Sequence, residues 1–412
     1  MSVYSGGQIK TEHIDPVIDL VNNRSEFRLD NYDVVMSNMR LANVGLNGTS
    51  AFYNPLLGSY STIKRISLLN GQTELSVSRN ANLWLGFQNV LNPNSVNESL
   101  GQPLKNNSVG YYLKADDDTT GNIRTSFSGI EPIGDEDENG HLDLRTIMPL
   151  LGEISSLNNV LFPQLKIVIE WETDDRVMVV DKTANDYTTL SPLLIVDVAQ
   201  DEGVRNNAIK NFPSQTIWNE IEHDEFIIPA VGVSGGTTHA DQNSSFKING
   251  FNNKSLGRLC IMKQDSNPAN LMTGEVINGI GNVGSLAMNN EKINLVVNGR
   301  NLLSGEGLET NAQRTAMLCD TWGSVNIVPN GNLDGGRTND TLLADEATSG
   351  QTDYVGIYVG DNINDLQLNY RRSGIYNNGT QHSTINELRV HVFGETSKVL
   401  SVKNGMFNVA YV

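Results

Sequence analysis

The order of elements in this 412-residue chain occurs twice, and that recurrence constrains its fold more than any other feature. Residues 66–71 (ISLLNG) lead into 72–76 (QTELS), and residues 294–299 (NLVVNG) lead into 300–304 (RNLLS). Each pair reads as an apolar strand, Asn-Gly, three residues, then Leu-Ser. Asn-Gly favours positive φ at both central positions of a two-residue turn, so each segment predicts a tight hairpin. A candidate helix follows each hairpin: residues 80–91, with Leu83, Phe87, Val90 and Leu91 on one stripe, and residues 311–320, around Ala316, Met317 and Leu318. Downstream, residues 165–170 (LKIVIE) parallel 388–393 (LRVHVF), and each half closes on a further apolar strand, 193–198 or 406–412. A set of elements that recurs once, about 225 residues on, predicts a duplicated domain.

Most of those elements read as strands. Leu165, Ile167, Ile169 and Trp171 share one face of residues 164–171, and Leu388, Val390 and Val392 share one face of residues 386–393. Many short strands joined by Asn-, Gly- and Ser-rich loops imply an all-β sandwich class rather than a parallel α/β sheet. A few short helices interrupt it, one of them expected after Pro149 through Leu150, Leu151 and Ile154. The length suits two domains. The expected division is an N-terminal arm at 1–14, a first sandwich over 15–200, a polar linker over 201–214 and a second sandwich over 215–412, whose first apolar run is Phe226, Ile227 and Ile228.

Composition narrows the function classes. Hydrophobic residues make up 38% and charged residues 18%, which sets a disordered tail aside. There is no apolar run of about 18 residues, so a spanning helix is not expected. The first residues, MSVYSGGQIKTEHIDP, lack the basic region and apolar core of a secretory signal, and synthesis in a reducing compartment is the expectation. A net charge of −18 with no Lys/Arg-rich arm repels phosphate backbones, so no direct nucleic-acid contact is expected. Cys260 and Cys319 form no CxxC and sit in apolar patterns, as buried reduced thiols do.

The order of motifs resembles double-jelly-roll major capsid proteins of double-stranded DNA viruses, most nearly those of polinton-like viruses and virophages. Four segments carry the resemblance: residues 16–20 (PVIDL) running into Phe27 and Tyr32; residues 147–172 (IMPLLGEISSLNNVLFPQLKIVIEWE); residues 251–262 (FNNKSLGRLCIM); and residues 398–412 (KVLSVKNGMFNVAYV). The resemblance implies two consecutive eight-stranded jelly rolls, each of two four-stranded sheets in Greek-key order. It further implies a homotrimer of pseudo-hexagonal outline that tiles an icosahedral virion shell beside neighbouring capsomers, penton and minor capsid proteins. An internal membrane or other proteins would contact the genome, and the chain would be made in the host cytoplasm or nucleus. The Asn/Gly-rich loops, such as residues 330–350, would face outward and make trimer contacts.

Few constellations carry chemistry. Asp135, Asp137 and Asn139, with Gly140, match the start of a calcium loop and are the candidate metal ligands. Position 12 of that loop is Thr146 rather than a bidentate Glu, and a solvated acidic turn is the competing reading; Asp116, Asp117 and Asp118 read as a charged loop. His223, in Glu220-Ile221-Glu222-His223-Asp224, reads as part of the polar face of a strand, with a ligand cluster as the alternative. Glu170 and Glu172 point the same way, about 7 Å apart, a spacing compatible with acid/base work or with a solvated strand face. No G-x-S-x-G, P-loop or dinucleotide fingerprint occurs, so no catalytic residue and no cofactor are expected. Trp84, Trp171, Trp218 and Trp322 sit at apolar positions suited to core or interface packing. The expected function is a non-enzymatic major capsid subunit. The alternatives are a tandem β-sandwich carbohydrate-binding or adhesion protein of a tail or spike, and a sandwich-fold hydrolase.

Overall fold

Each half of the chain builds a sandwich of two antiparallel sheets, in a computed structural model that describes residues 9–20, 23–44, 46–48, 52–53, 62–85, 142–173, 176, 179–180, 187–189, 191–229, 231–232, 242–266, 292–303, 305, 307–309, 311–322, 344–345, 351–352, 354–372, 384–385 and 387–412. The first half supplies β1 (Ile9–Ile14), β2 (Arg24–Arg28), β3 in two pieces (Val34–Met36 and Arg40–Ala42), β4 (Ile63–Asn70), β5 (Thr73–Arg79), β6 in two pieces (Leu142–Asp143 and Ser156–Asn158), β7 (Leu165–Trp171) and β8 (Leu193–Ala199). One sheet runs β1-β8-β3-β6 and the other β2-β7-β4-β5. The break in β6 holds a short helix, α1 (Leu150–Glu153), with Pro149 at its N-terminus as the sequence predicts.

The second half repeats this order. Its strands are β9 (Gln215–Ile228), β10 (Gln242–Lys247), β11 (Lys254–Asp265), β12 (Lys292–Val297), β13 (Arg300–Asn301), β14 (Tyr354–Ile363), β15 (Leu366–Arg372) and β16 (Leu388–Lys403). They pair as β9-β16-β11-β14 and β10-β15-β12-β13, each strand taking the place of the one eight before it. An extra strand, β17 (Met406–Tyr411), turns back along the end of β16 and runs up to the start of β11, where Ser255 N–H donates to the Val412 carbonyl at 3.2 Å.

Alternation along the strands fills two cores. Ile167 and Ile169 of β7 meet Phe27, Ile66 and Leu68 in the first; Leu259, Leu295, Leu368 and Val392 lie in the second. The first core is not closed by its own half. Trp218 of β9 and Leu400 of β16 belong to it, and Val402, Phe407 and Val409 pack against it. The Phe407 ring lies 5.1 Å from that of Phe162. The long strands of the second sandwich therefore overhang the first and seal it.

Several expectations change in detail. Both Asn-Gly segments form hairpins, but only the second uses Asn298 and Gly299 as the turn, with φ of 50° and 77°. In the first, Asn70 is still a rung of the ladder opposite Thr73, and Gly71 and Gln72 make the turn. Asn70 is held there because its Oδ1 accepts from the Gln164 N–H at 2.8 Å while Gly71 N–H donates to the Gln164 carbonyl at 2.9 Å. Residues 165–170 and 388–393 are not counterparts: the first lie in β7 and the second in β16, whose counterpart is β8. Likewise residues 406–412 have no counterpart strand among the described residues of the first half. Residues 9–14, expected in an arm, form β1, paired with β8 along its length. The polar stretch 201–214 contains a helix, α2 (Glu202–Lys210), capped by the Asp201 carboxylate accepting from Val204 N–H at 3.1 Å. Its Val204, Ala208 and Ile209 cover Val34 and Met36 of β3. Of the helix expected after the first hairpin, residues 81–85 are helical; the second is α3 (Asn311–Trp322).

Gly394 marks a tightly packed point in the second sandwich. A Cβ there would lie 2.4 Å from Cε1 of the fully buried Phe251 and 2.8 Å from Leu256 Cδ1. Gly394→Ala is expected to destabilise the fold by about 2 kcal/mol through overpacking. Chemical denaturation checks this, and an unchanged midpoint would mean that the Phe251 ring has room to swing aside.

Candidate functional site

β9 alternates exposed with buried residues along its first half, and its inward face carries Trp218, Glu220 and Glu222, all buried against β5. β5 is the edge of its sheet, and an edge strand presents outward N–H groups that require partners. Glu220 provides one: its carboxylate accepts from Val77 N–H at 2.5 Å and Ser76 Oγ at 3.1 Å, and from the indole N–H of Trp218. Burial pushes the Glu220 carboxyl above its ordinary range, against the opposing pull of Lys398, 3.9 Å away, and of those hydrogen bonds.

Glu222, two residues on, gathers cations. Arg79 Nη1 of β5 lies 2.8 Å away, Lys398 Nζ of β16 3.1 Å and Lys254 Nζ of β11 3.6 Å, and the Tyr411 hydroxyl of β17 donates at 2.5 Å. The two ammonium groups also lie over the Tyr411 ring, 4.2 Å from its centroid for Lys254 and 4.9 Å for Lys398. Burial alone would raise this carboxyl, but Lys398, the Tyr411 hydroxyl, Lys254 and Arg79 together outweigh it and hold Glu222 at about 2. The same burial and the same carboxylate push the Tyr411 phenol upward.

The far side of β9 faces a cleft of about 320 Å³ between the sandwiches. Aromatic rings floor the junction here: Trp84, in the helical turn after β5, lies 5.4 Å from Trp322 of α3 and 5.5 Å from Phe393 of β16. His223 Nε2 and His391 Nδ1 are 3.0 Å apart, and Glu225 Oε2 is 3.6 Å from His391 Nδ1. Burial drives both imidazoles toward the neutral form, His223 to about 3 with help from Arg79 and Arg389, and His391 well below its ordinary value. On the opposite wall Glu170 pairs with Arg65 at 3.3 Å, and the buried Glu172 accepts from Asn82 Nδ2 at 3.3 Å.

Asp135, Asp137, Asn139 and Gly140 lie outside the described residues, as do Asp116, Asp117 and Asp118. Thr146 is described, and its hydroxyl donates to the Asp143 carbonyl at 2.7 Å. Glu170 and Glu172 do share a wall of the cleft, each held by a partner from the first sandwich. Glu220, Glu222 and His223, read as part of the polar face of a strand, do lie on β9 and are partly or fully buried at the junction. Sequence reasoning missed Arg79, Lys254, Lys398 and Tyr411. One signal was available: Trp218, Glu220 and Glu222 fall on the same face of one strand, and carboxylates in register with a tryptophan mark a buried polar network. Cys260 is fully buried and burial raises its thiol; neither it nor Cys319 is in a disulfide.

No family model and no curated protein matches the sequence. Solved structures do. The mavirus major capsid protein matches at 13% identity over 100% of this chain and 92% of its own, with a TM-score of 0.53. The Faustovirus major capsid protein matches at 9% identity over 98% of this chain and 92% of its own, TM-score 0.53, and a chain of the Sputnik virophage structure at 11% over 100% and 90%, TM-score 0.52. The fold is the double jelly roll of these viral capsid proteins. In this double jelly roll, the Glu220–Glu222 network and the Trp84–Trp322 contact sit where one roll meets the other. Among the described residues, no helix is long and apolar enough to cross a membrane.

Glu222→Gln keeps the side-chain shape but leaves Arg79, Lys254 and Lys398 around a neutral amide. A loss of about 3 kcal/mol at neutral pH is expected in chemical denaturation. The folded value of about 2 lies below the ordinary 4.5, so this stabilisation is complete above pH 4.5 and fades as pH falls toward 2. The gap between wild type and variant should therefore close across that window; a gap that persists at low pH would mean that the charge of Glu222 is not what matters.

Proposed function

We propose that this chain is a major capsid protein: a non-enzymatic subunit that forms a homotrimer and tiles a virion shell. The observation that carries the reading is the extent of the likeness, since both rolls, in order and over the full described fold, match the major capsid protein of mavirus across 100% of this chain. Two rolls locked side by side make two similar wedges, and three such chains give six, a pseudo-hexagon that packs on a flat facet. The junction supports this use, because a tile must transmit load from one wedge to the next without hinging.

The division of labour follows from charge. A net −18 disfavours contact with a phosphate backbone, so in this reading other components, an internal membrane or minor capsid proteins, face the genome. The two units divide within residues 201–214, with Ile9–Ile14 belonging to the first through β8. Neighbouring capsomers and a penton protein are the partners this reading requires, and the virion is its location.

Light scattering on the purified protein, followed by electron microscopy of the same peak, tests the reading. The expected result is a stable species of about three times the 45.1 kDa chain with a hexagonal outline. A strict monomer at micromolar concentration would sink it and turn attention to glycan binding by tandem sandwiches.

A further inference from the structure

We propose that His223, His391 and Glu225 form a zinc(II) site in the cleft between the two rolls. The register of the sheet creates it. His223 and Glu225 are two residues apart on β9 and so share a face, and His391 stands directly across from Glu225 on β16. Each residue offers one ligand atom, and the three atoms lie within 4.8 Å of one another. Zinc bonds of about 2.0–2.1 Å to nitrogen and oxygen place neighbouring donors of a tetrahedron about 3.3 Å apart. The separations of 3.0 Å between the imidazole nitrogens and 3.6 Å from His391 Nδ1 to Glu225 Oε2 bracket that edge. Two imidazoles and one carboxylate suit a borderline cation such as zinc rather than calcium or magnesium, which prefer all-oxygen shells.

The surroundings complete the site. Arg389 Nη1 donates to Glu225 Oε1 at 3.0 Å, which orients the carboxylate and leaves Oε2 toward the histidines. Asn80, from the first roll, places its amide nitrogen 3.0 Å from both His223 Nδ1 and His223 Nε2; in the loaded site the amide turns so that its oxygen accepts from Nδ1–H and Nε2 is left to the metal. All three ligands line the cleft, so a fourth ligand would come from that side. Arg79, Arg389 and Arg176 oppose a cation here, and Lys64 and Arg65 line the same cleft, but Arg79 is committed to Glu222 and Glu74, Arg389 to Glu225 and Arg65 to Glu170, and Glu172 and Asp224 add negative charge to the cleft. A bound ion would clip β9 to β16 and, through Asn80, tie the second roll to the first. The site does not depend on the capsid reading.

Cobalt(II) titration of the untagged full chain, read by absorption and followed by displacement with zinc(II), tests it. The expected result is one cobalt per chain with the intense visible bands of a tetrahedral site, all displaced by one equivalent of zinc. His391→Gln and Glu225→Gln should each weaken binding at least about tenfold, whereas His13→Gln should leave it unchanged. Glu225 is 44% exposed, so its variant reports on the ligand even if the histidine variant folds poorly. The proposal is overturned by binding that does not saturate at one equivalent, by the weak spectrum of an octahedral ion, or by a Glu225→Gln chain that binds as tightly as wild type.

Discussion

Glu222 is the point on which the arrangement of the two rolls turns. Taking a carboxylate out of water costs several kcal/mol, and that cost is offset only when cations and hydrogen-bond donors surround it in good geometry. Its partners come from β5, β11, β16 and β17, so the two rolls and the C-terminal strand satisfy it together or not at all. An apolar contact of equal area tolerates sliding; a carboxylate among three cations does not. Glu220 adds a second constraint, since its bond to Val77 N–H fixes where β9 lies along β5.

Around this polar centre the apolar contacts follow. Trp218 precedes Glu220 on the same face of β9 and enters the first core, together with Leu400 from the neighbouring strand. β17 brings Phe407 and Val409 to the same core and ends on the Tyr411 hydroxyl that donates to Glu222. The free edge of β5, which could otherwise recruit another strand, is occupied by carboxylates of β9. Two sandwiches that each have a core of their own thus share one seam, polar on one side of β9 and aromatic with a histidine pair on the other.

Much of this was legible. The alternation in residues 165–171, the Pro149 helix, α3 and the two hairpins are local patterns, and local patterns survive folding because strand and helix periods are set by the backbone. What the patterns do not encode is which strand neighbours which. Residues 165–170 and 388–393 look alike because both bury one face, yet they occupy different, non-equivalent sheets. β1 carries little sequence signal because Ile9 and Ile14 are its only aliphatic residues and its pairing to β8 is through backbone. α2 carries as little, because three apolar residues, Val204, Ala208 and Ile209, make up its buried face.

The sequence alone determined that the chain is a duplicated all-β protein, since a recurring order of strands, Asn-Gly turns and helices is written in residue spacing. It also determined an acidic chain without a catalytic fingerprint. Only the tertiary structure decided the sheet order, the extra strand β17 and the junction. Those depend on contacts between residues as far apart as Arg79, Glu222 and Tyr411, and nothing in the local spacing of any one of them states that the other two will meet it in a buried site.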